Sequence, residues 1–227
     1  NTNKARLLGL YAAEGSLHKR KGIYRNCVTF TYSSNEINNL AKLTKLLLES
    51  EFENVNVSIK LDEINHKCTV SGYASNIYQF FLKYCGEYSY SKKLHQELVF
   101  ASPEIKKEFI LGWLEGDGHI DNNSRITGTT ISPSMVSQIR TMLYSIGIHN
   151  TLYENPPSNS IINGRNIIGK HNVFRLRING TNAIDLIKNS EKLSLHGDYK
   201  ERHLTKFINN YCLHTLLEKK QIDYDGD

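Results

Sequence analysis

Apolar and polar positions along the chain fall into two successive runs of the same order. In the first, residues 7–13 form an apolar stretch of small and branched side chains at helical length. Residues 16–21 and 24–32 follow as two short strands joined at Gly22. Val28, Phe30 and Tyr32 alternate with Cys27, Thr29 and Thr31, the two-residue period of a strand buried on one face. Ser33, with Glu36 three residues on, forms a capping box for a helix that carries Ile37, Leu40, Leu43 and Leu47 at helical spacing. Val55, Val57, Ile59 and Leu61 then alternate with Asn56, Ser58, Lys60 and Asp62, residues 66–73 give a return strand, and 76–84 a closing helix. The order is α-β-β-α-β-β-α.

The second run repeats it. Ser102 and Pro103 open a helix as N-cap and first-turn proline. Residues 118–122 and 125–132 are strands, and Ser132-Pro133 starts a helix bearing Met135, Ile139, Met142, Leu143 and Ile146. Residues 150–154 and 171–179 form a second hairpin around a long polar excursion with Pro156, Pro157 and Gly164. Residues 181–190 close the unit as a helix, and a helical tail is expected over 199–219. The fold class is therefore α+β, two pseudo-symmetric αββαββα half-domains each with an antiparallel sheet. The expected divisions are 1–95, 96–198 and a C-terminal helical extension, 199–227.

Composition narrows the setting. A chain of 227 residues can build two separate cores. No apolar run approaches the ~18 to 20 residues of a membrane span, so no membrane partner is expected. The cysteines, Cys27, Cys68, Cys85 and Cys212, are scattered without C-x-x-C spacing, which argues against zinc and for free thiols in an intracellular compartment, cytoplasmic or organellar. A formal charge of +5 is compatible with a polyanionic partner.

The chemistry lies in the repeat itself. Leu7-Leu8-Gly9-Leu10-Tyr11-Ala12-Ala13-Glu14-Gly15 and Ile110-Leu111-Gly112-Trp113-Leu114-Glu115-Gly116-Asp117-Gly118 stand 103 positions apart, Glu14 to Asp117. Small residues recur at i and i+4, Gly9 and Ala13 in one and Gly112 and Gly116 in the other, so two such helices can approach backbone to backbone. Leu7, Leu10, Leu111 and Leu114 are left to face the two cores. Glu14 and Asp117 close the two helices, ahead of glycines suited to a left-handed cap. Carboxylates are disfavoured at a helix C-terminus, and two meeting there repel; protonation or a cation must relieve them. Magnesium, an oxygen-seeking ion that keeps several waters, suits such a donor set.

At these residues the chain resembles a single-chain LAGLIDADG homing endonuclease with two motifs. Residues 110–118 match the family motif closely and 7–15 are a variant with Glu in place of the usual Asp. The resemblance implies motif helices at a central interface and sheets forming a saddle over duplex DNA. It implies metal held by Glu14 and Asp117 with the carbonyls of Ala13 and Gly116, the ion being Mg2+, with Mn2+ or Ca2+ able to take the same sites. Ser91-Lys92-Lys93-Leu94-His95 resembles the lysine block of intein-type members, which makes Lys92, with Lys93 the adjacent alternative, and its second-half counterpart Lys192 candidates to stabilise charge developing on phosphate or to tune the attacking water.

With the apolar strand positions turned to the helices, the opposite face offers His18, Arg20, Arg25, Thr29, Thr31, Lys60, Lys67 and Thr69 in the first half. In the second it offers His119, Arg125, Thr127, Thr129, His171, Arg175 and Arg177. These are candidate DNA-binding residues for a ribbon in the major groove. The expected activity is metal-dependent hydrolysis of one phosphodiester on each strand, giving a staggered double-strand break, by a monomer with internal twofold pseudo-symmetry. A non-cleaving DNA-binding regulator and an RNA-binding intron maturase are alternatives on the same fold.

Overall fold

The computed structural model describes residues 1–19, 26–121, 125–162, 165–178, 186–193, 205–208 and 211–214. Helix α1 (Thr2–Glu14) opens with the Asn1 side chain accepting from the Lys4 amide, so one otherwise orphaned N–H is satisfied. It leads into β1 (Gly15–His18) and β2 (Cys27–Ser33). Ser33 and Glu36 make the expected capping box, but the helix behind it is irregular: a 3-10 turn (Ser34–Glu36), a wide π segment (Ile37–Ala41), then α2 (Lys42–Glu51). Asn39 turns its side-chain oxygen onto the Leu40 amide, a local bond that competes with the regular helical ladder. β3 (Asn56–Asp62), β4 (Lys67–Tyr73) and α3 (Ser75–Cys85) complete the first half.

After a short helix, α4 (Gln96–Val99), the second half runs α5 (Pro103–Asp117), β5 (Gly118–Ile120), β6 (Ile126–Thr130), α6 (Pro133–Ser145) and β7 (Asn150–Asn155). The polar excursion is itself a hairpin, β8 (Asn159–Ile162) with β9 (Arg165–Ile168), before β10 (Val173–Ile178). The two principal sheets are fully antiparallel and have equivalent orders, β1-β2-β4-β3 and β5-β6-β10-β7. The expected αββαββα pattern is thus present in the first half. In the second, residues 179–185 lie outside the described part, and 186–187 are helical.

α1 and α5 lie along each other at the centre of the molecule. A Cβ on Gly9 would run into the Phe109 carbonyl oxygen and the Trp113 amide, and one on Gly112 into the Arg6 carbonyl oxygen and the Leu10 amide. The two glycines therefore act reciprocally, each vacating the space that the other helix's backbone fills. Leu7, Leu10, Leu111 and Leu114 are buried on the flanks, as expected. In the first core Tyr11 stacks on Phe81 at 4.7 Å between ring centres, and Phe30 meets Phe81 edge-on at 5.7 Å.

Two expectations are corrected. Gly15 and Gly118 are extended, at φ −88°, ψ 145° and φ −94°, ψ 151°, and not left-handed, because each motif helix passes directly into the first strand of its sheet. Glycine is needed there for space: a side chain at Gly15 would strike the Tyr11 ring, and one at Gly118 the Leu114 carbonyl. The tail expected to be helical over 199–219 carries instead, in its described residues, the hairpin of β11 (Thr205–Ile208) and β12 (Tyr211–His214). Thr205, Phe207, Ile208 and Tyr211 are β-branched or aromatic, and that local strand preference outweighs the helical spacing.

Candidate active site

α1 and α5 end side by side. A Cβ on Gly116 would collide with that of Ala13 and lie 3.0 Å from Cγ of Glu14, so Glu14 folds over the backbone immediately before Asp117. Neither carboxylate is fully exposed. The Asp117 carboxyl is pushed up to about 7, first by burial and then by the negative charge of Glu14, against the pull of Lys92 and Lys192. Glu14 is raised by burial and by Glu36, again opposed by Lys192 and Lys92. Each acid is thus held in surroundings that disfavour its charge unless a cation arrives.

Lys92 is 2% exposed. Its Nζ donates to the carbonyl oxygens of Tyr11 at 2.7 Å, Ala12 at 3.0 Å and Gly15 at 2.9 Å, and sits 4.7 Å from the centre of the Tyr11 ring. The ammonium therefore offsets the negative end of the α1 dipole just where Glu14 adds to it. Burial holds the Lys92 ammonium below the usual lysine range, while Cys85, Asp117 and Glu14 act to raise it. Lys192 occupies the corresponding position against α5 but is more open: its Nζ lies 3.4 Å from the Gly116 carbonyl and 2.8 Å from Oε1 of Glu36. The lysines predicted as a pair thus both reach the motif-helix ends, with unlike partners.

Sequence marks Glu36 as a capping residue and not as a site residue, and it does not single out Arg6, Glu115 or Ser190 for the site. Glu36 keeps its capping role, Oε2 accepting from the Ser33 amide, while Oε1 pairs with Lys192. Arg6 clamps the fully buried Glu115 with Nη2 at 2.6 Å from Oε1 and Nε at 2.8 Å from Oε2, and reaches Glu108 at 3.1 Å. A carboxylate inside an otherwise apolar motif was the available signal for this pair.

The carboxylates of Glu14 and Asp117 are hard oxygen donors destabilised as bare anions, and with the carbonyls of Ala13 and Gly116 they are the groups that would hold a cation here. This fits a divalent cation of the magnesium type. Among the described residues no group of three or more His, Cys, Asp or Glu gathers in metal-binding geometry.

In the metal-free protein the fold itself retains the Asp117 proton. Since the folded state holds the proton more tightly than the unfolded chain, stability should fall as pH rises between the ordinary value of 3.8 and about 7, and level off above. The decline should approach, at most, about 1.4 kcal/mol per pH unit. Thermal unfolding at stepped pH in EDTA measures it, and excess Mg2+ should flatten the profile.

Away from the helix ends, strand pairing sorts the predicted groove residues into rows. Ser16, Thr29, Ser71 and Ser58 lie across the first sheet, then Thr31, Thr69 and Lys60, then Ser33, Lys67 and Asp62. Ser58, Lys60, Lys67 and Thr69 line a polar concavity. His18 Nε2 meets Ser16 Oγ at 3.2 Å and Thr29 Oγ1 at 3.0 Å. In the second sheet His119, Thr127, Arg177 and Thr151 form one row and Thr129, Arg175 and Tyr153 the next. Arg177 lies 4.9 Å over the Tyr153 ring. Arg125 is 4.0 Å from Asp121. His171 falls before β10, its ring stacked on Tyr90 at 4.1 Å, so it is not on the strand row. Arg20 and Arg25 lie outside the described residues.

Residues 104–186 match the family profile of a LAGLIDADG-like domain. An ATP-dependent DNA helicase, Hel308 of Thermococcus kodakarensis, is 22% identical over 233 residues, covering 100% of this chain and 20% of the helicase. A DNA polymerase of Thermococcus hydrothermalis is 29% identical over 146 residues, 63% of this chain and 8% of the polymerase. The chain spans a fifth or less of the length of these relatives. Among solved structures, variants of the homing endonuclease I-DmoI share the fold with TM-score 0.58 at 16% identity, over 82% of this chain and 93% of theirs. I-DmoI in complex with DNA and Mn matches with TM-score 0.57 at 18% identity, over 86% and 98%. The N-terminal LAGLIDADG domain of DUF199/WhiA matches with TM-score 0.51 at 14% identity, over 82% of each chain. Among the described residues no helix is long and apolar enough to cross a membrane.

Proposed function

We propose that the chain is a site-specific DNA endonuclease of the LAGLIDADG homing endonuclease family, a reading supported by the LAGLIDADG-like profile matched in its second half and by the fold carried by both halves. The observation that carries the proposal is the junction of α1 and α5, where Glu14 and Asp117 meet with two lysines beside them. Bound there, a divalent cation supplies Lewis-acid activation of water and of the scissile phosphate.

The chain's own groups do the rest. Glu14 and Asp117, with the carbonyls of Ala13 and Gly116, hold the ion. Lys92, fixed by three carbonyls, presents a localised positive charge beside one acid, and Lys192 does so beside the other; both offset charge that develops on phosphate during hydrolysis. The two sheets form a saddle whose polar rows face the duplex, with Lys60, Lys67, Arg175 and Arg177 serving phosphates and guanine edges and the threonines serving thymine methyls. Both half-sites lie in one chain, so a monomer suffices to break both strands, leaving a staggered cut. The working units are residues 1–95 and 96–198, with 199–227 as an extension.

Plasmid carrying a target selected from a randomised duplex library tests this. Linear product is expected in Mg2+ and intact supercoil in EDTA. Specific binding without cutting in Mg2+, Mn2+ or any other divalent ion would replace the proposal with a non-cleaving DNA-binding protein.

A further inference from the structure

The two halves hold their lysines by different means, and the difference exposes a connection across the helix interface. Lys92 is buried and self-sufficient, saturated by three backbone carbonyls of α1 and its end. Lys192 is more exposed and lies on an irregular segment, where such a side chain would ordinarily be free to wander. What restrains that segment is Glu115. Its Oε1 accepts from the Ser190 hydroxyl at 2.9 Å and from the Glu191 amide at 2.6 Å. Ser190 Oγ in turn accepts from the Lys192 amide at 3.1 Å and the Leu193 amide at 2.8 Å, so one hydroxyl uses its donor and both acceptor positions. Glu115 is kept in place from the other side by the bidentate grip of Arg6, a residue of the first half. At the pseudo-symmetric positions stand Ala12 for Glu115 and Phe109 for Arg6, so the first half has no such device.

We propose that Glu115 and Ser190 are positioning residues for Lys192, a chain running Arg6–Glu115–Ser190–Lys192 that ties the lysine of the second half-site to the packing of α1 on α5. This rests on the nuclease reading above. Its physical content is that the Lys192 backbone is held where the ammonium can reach both Gly116 and Glu36. Without the Ser190 hub the lysine spends its time elsewhere, and the half-site it serves loses its cation. Lys92 does not depend on the hub. The consequence is strand-selective: damage to the chain should slow one cut and leave the other.

The test is a single-turnover cleavage assay on duplex labelled separately on each strand, for wild type, Ser190→Ala, Lys192→Met and the double variant. Lys192→Met identifies the strand that Lys192 serves. Ser190→Ala should slow that same strand about five- to tenfold, the loss expected of one well-placed hydrogen-bond hub. It should leave the other strand within about twofold and add nothing in the Lys192→Met background. Thermal unfolding and DNA affinity, measured alongside, should stay near wild type for Ser190→Ala. Equal slowing of both strands, no slowing, or slowing that adds to Lys192→Met would overturn the positioning role while leaving the nuclease reading intact. Glu115→Gln provides a second variant, since it keeps the acceptor for Ser190 but loses the charge that Arg6 grips; it should slow the same strand. A wild type that cuts neither strand would remove both readings.

Discussion

Asp117→Asn should abolish DNA cleavage while leaving sequence-specific binding within a few-fold of wild type. Asparagine keeps the shape of the helix end but supplies a neutral oxygen where the cation needs a charged one. The loss should be roughly 10³-fold or more, the several kcal/mol of transition-state stabilisation that a held metal contributes. The same change should act on stability in the opposite direction. Burial and the charge of Glu14 push the Asp117 carboxyl up to about 7, so at pH 8 without metal the folded protein carries a penalty that asparagine removes. In EDTA the variant should therefore melt higher than wild type, and the gain should shrink as pH falls toward 5, where wild-type Asp117 is protonated. Gel-shift, cleavage and melting assays on one preparation separate these effects. Loss of binding together with cleavage would make Asp117 a structural residue.

Gly112→Val should damage the fold severely. A Cβ at this position meets the Arg6 carbonyl oxygen and the Leu10 amide, which are backbone atoms with no rotamer to give way. α1 and α5 must then separate or shift along each other, exposing leucines that are now buried on both flanks. The cost should be about 3 kcal/mol, the upper end of ordinary overpacking. For a chain of this size that lowers the melting temperature by roughly 6 to 12 °C. Cleavage should fall as well, through the movement of Glu14 relative to Asp117. Unchanged melting would show that the two helices are not held at backbone contact.

The sequence made the repeat legible because its residues carry their own geometry. Gly9 and Gly112 have no role as isolated helix residues, and Glu14 and Asp117 sit where the helix dipole disfavours them; the structure brings all four to the α1–α5 contact. Strand faces were equally readable: Thr29, Thr31, Lys60 and Thr69 lie together on the polar side, as the two-residue alternation requires. What escaped depends on partners distant in the chain. Arg6 and Glu115 look like ordinary charges until α1 and α5 meet, and Ser190 gains its place when Glu115 accepts from it. Glu36 was visible as a capping residue, but its free oxygen's pairing with Lys192, from the other half, has no trace in local spacing. The π segment and the hairpins β8–β9 and β11–β12 were missed because short segments carry too few positions for a period to show.

On the proposed reading, two appressed helices deliver Glu14 and Asp117 to one shared cation-binding centre. Anomalous diffraction from crystals of the protein bound to uncut target DNA and soaked in Mn2+ tests it most directly. A manganese peak is expected at the junction of α1 and α5, within coordination distance of both carboxylates and lost in Asp117→Asn. Manganese bound elsewhere, with both acids free of metal, would contradict it.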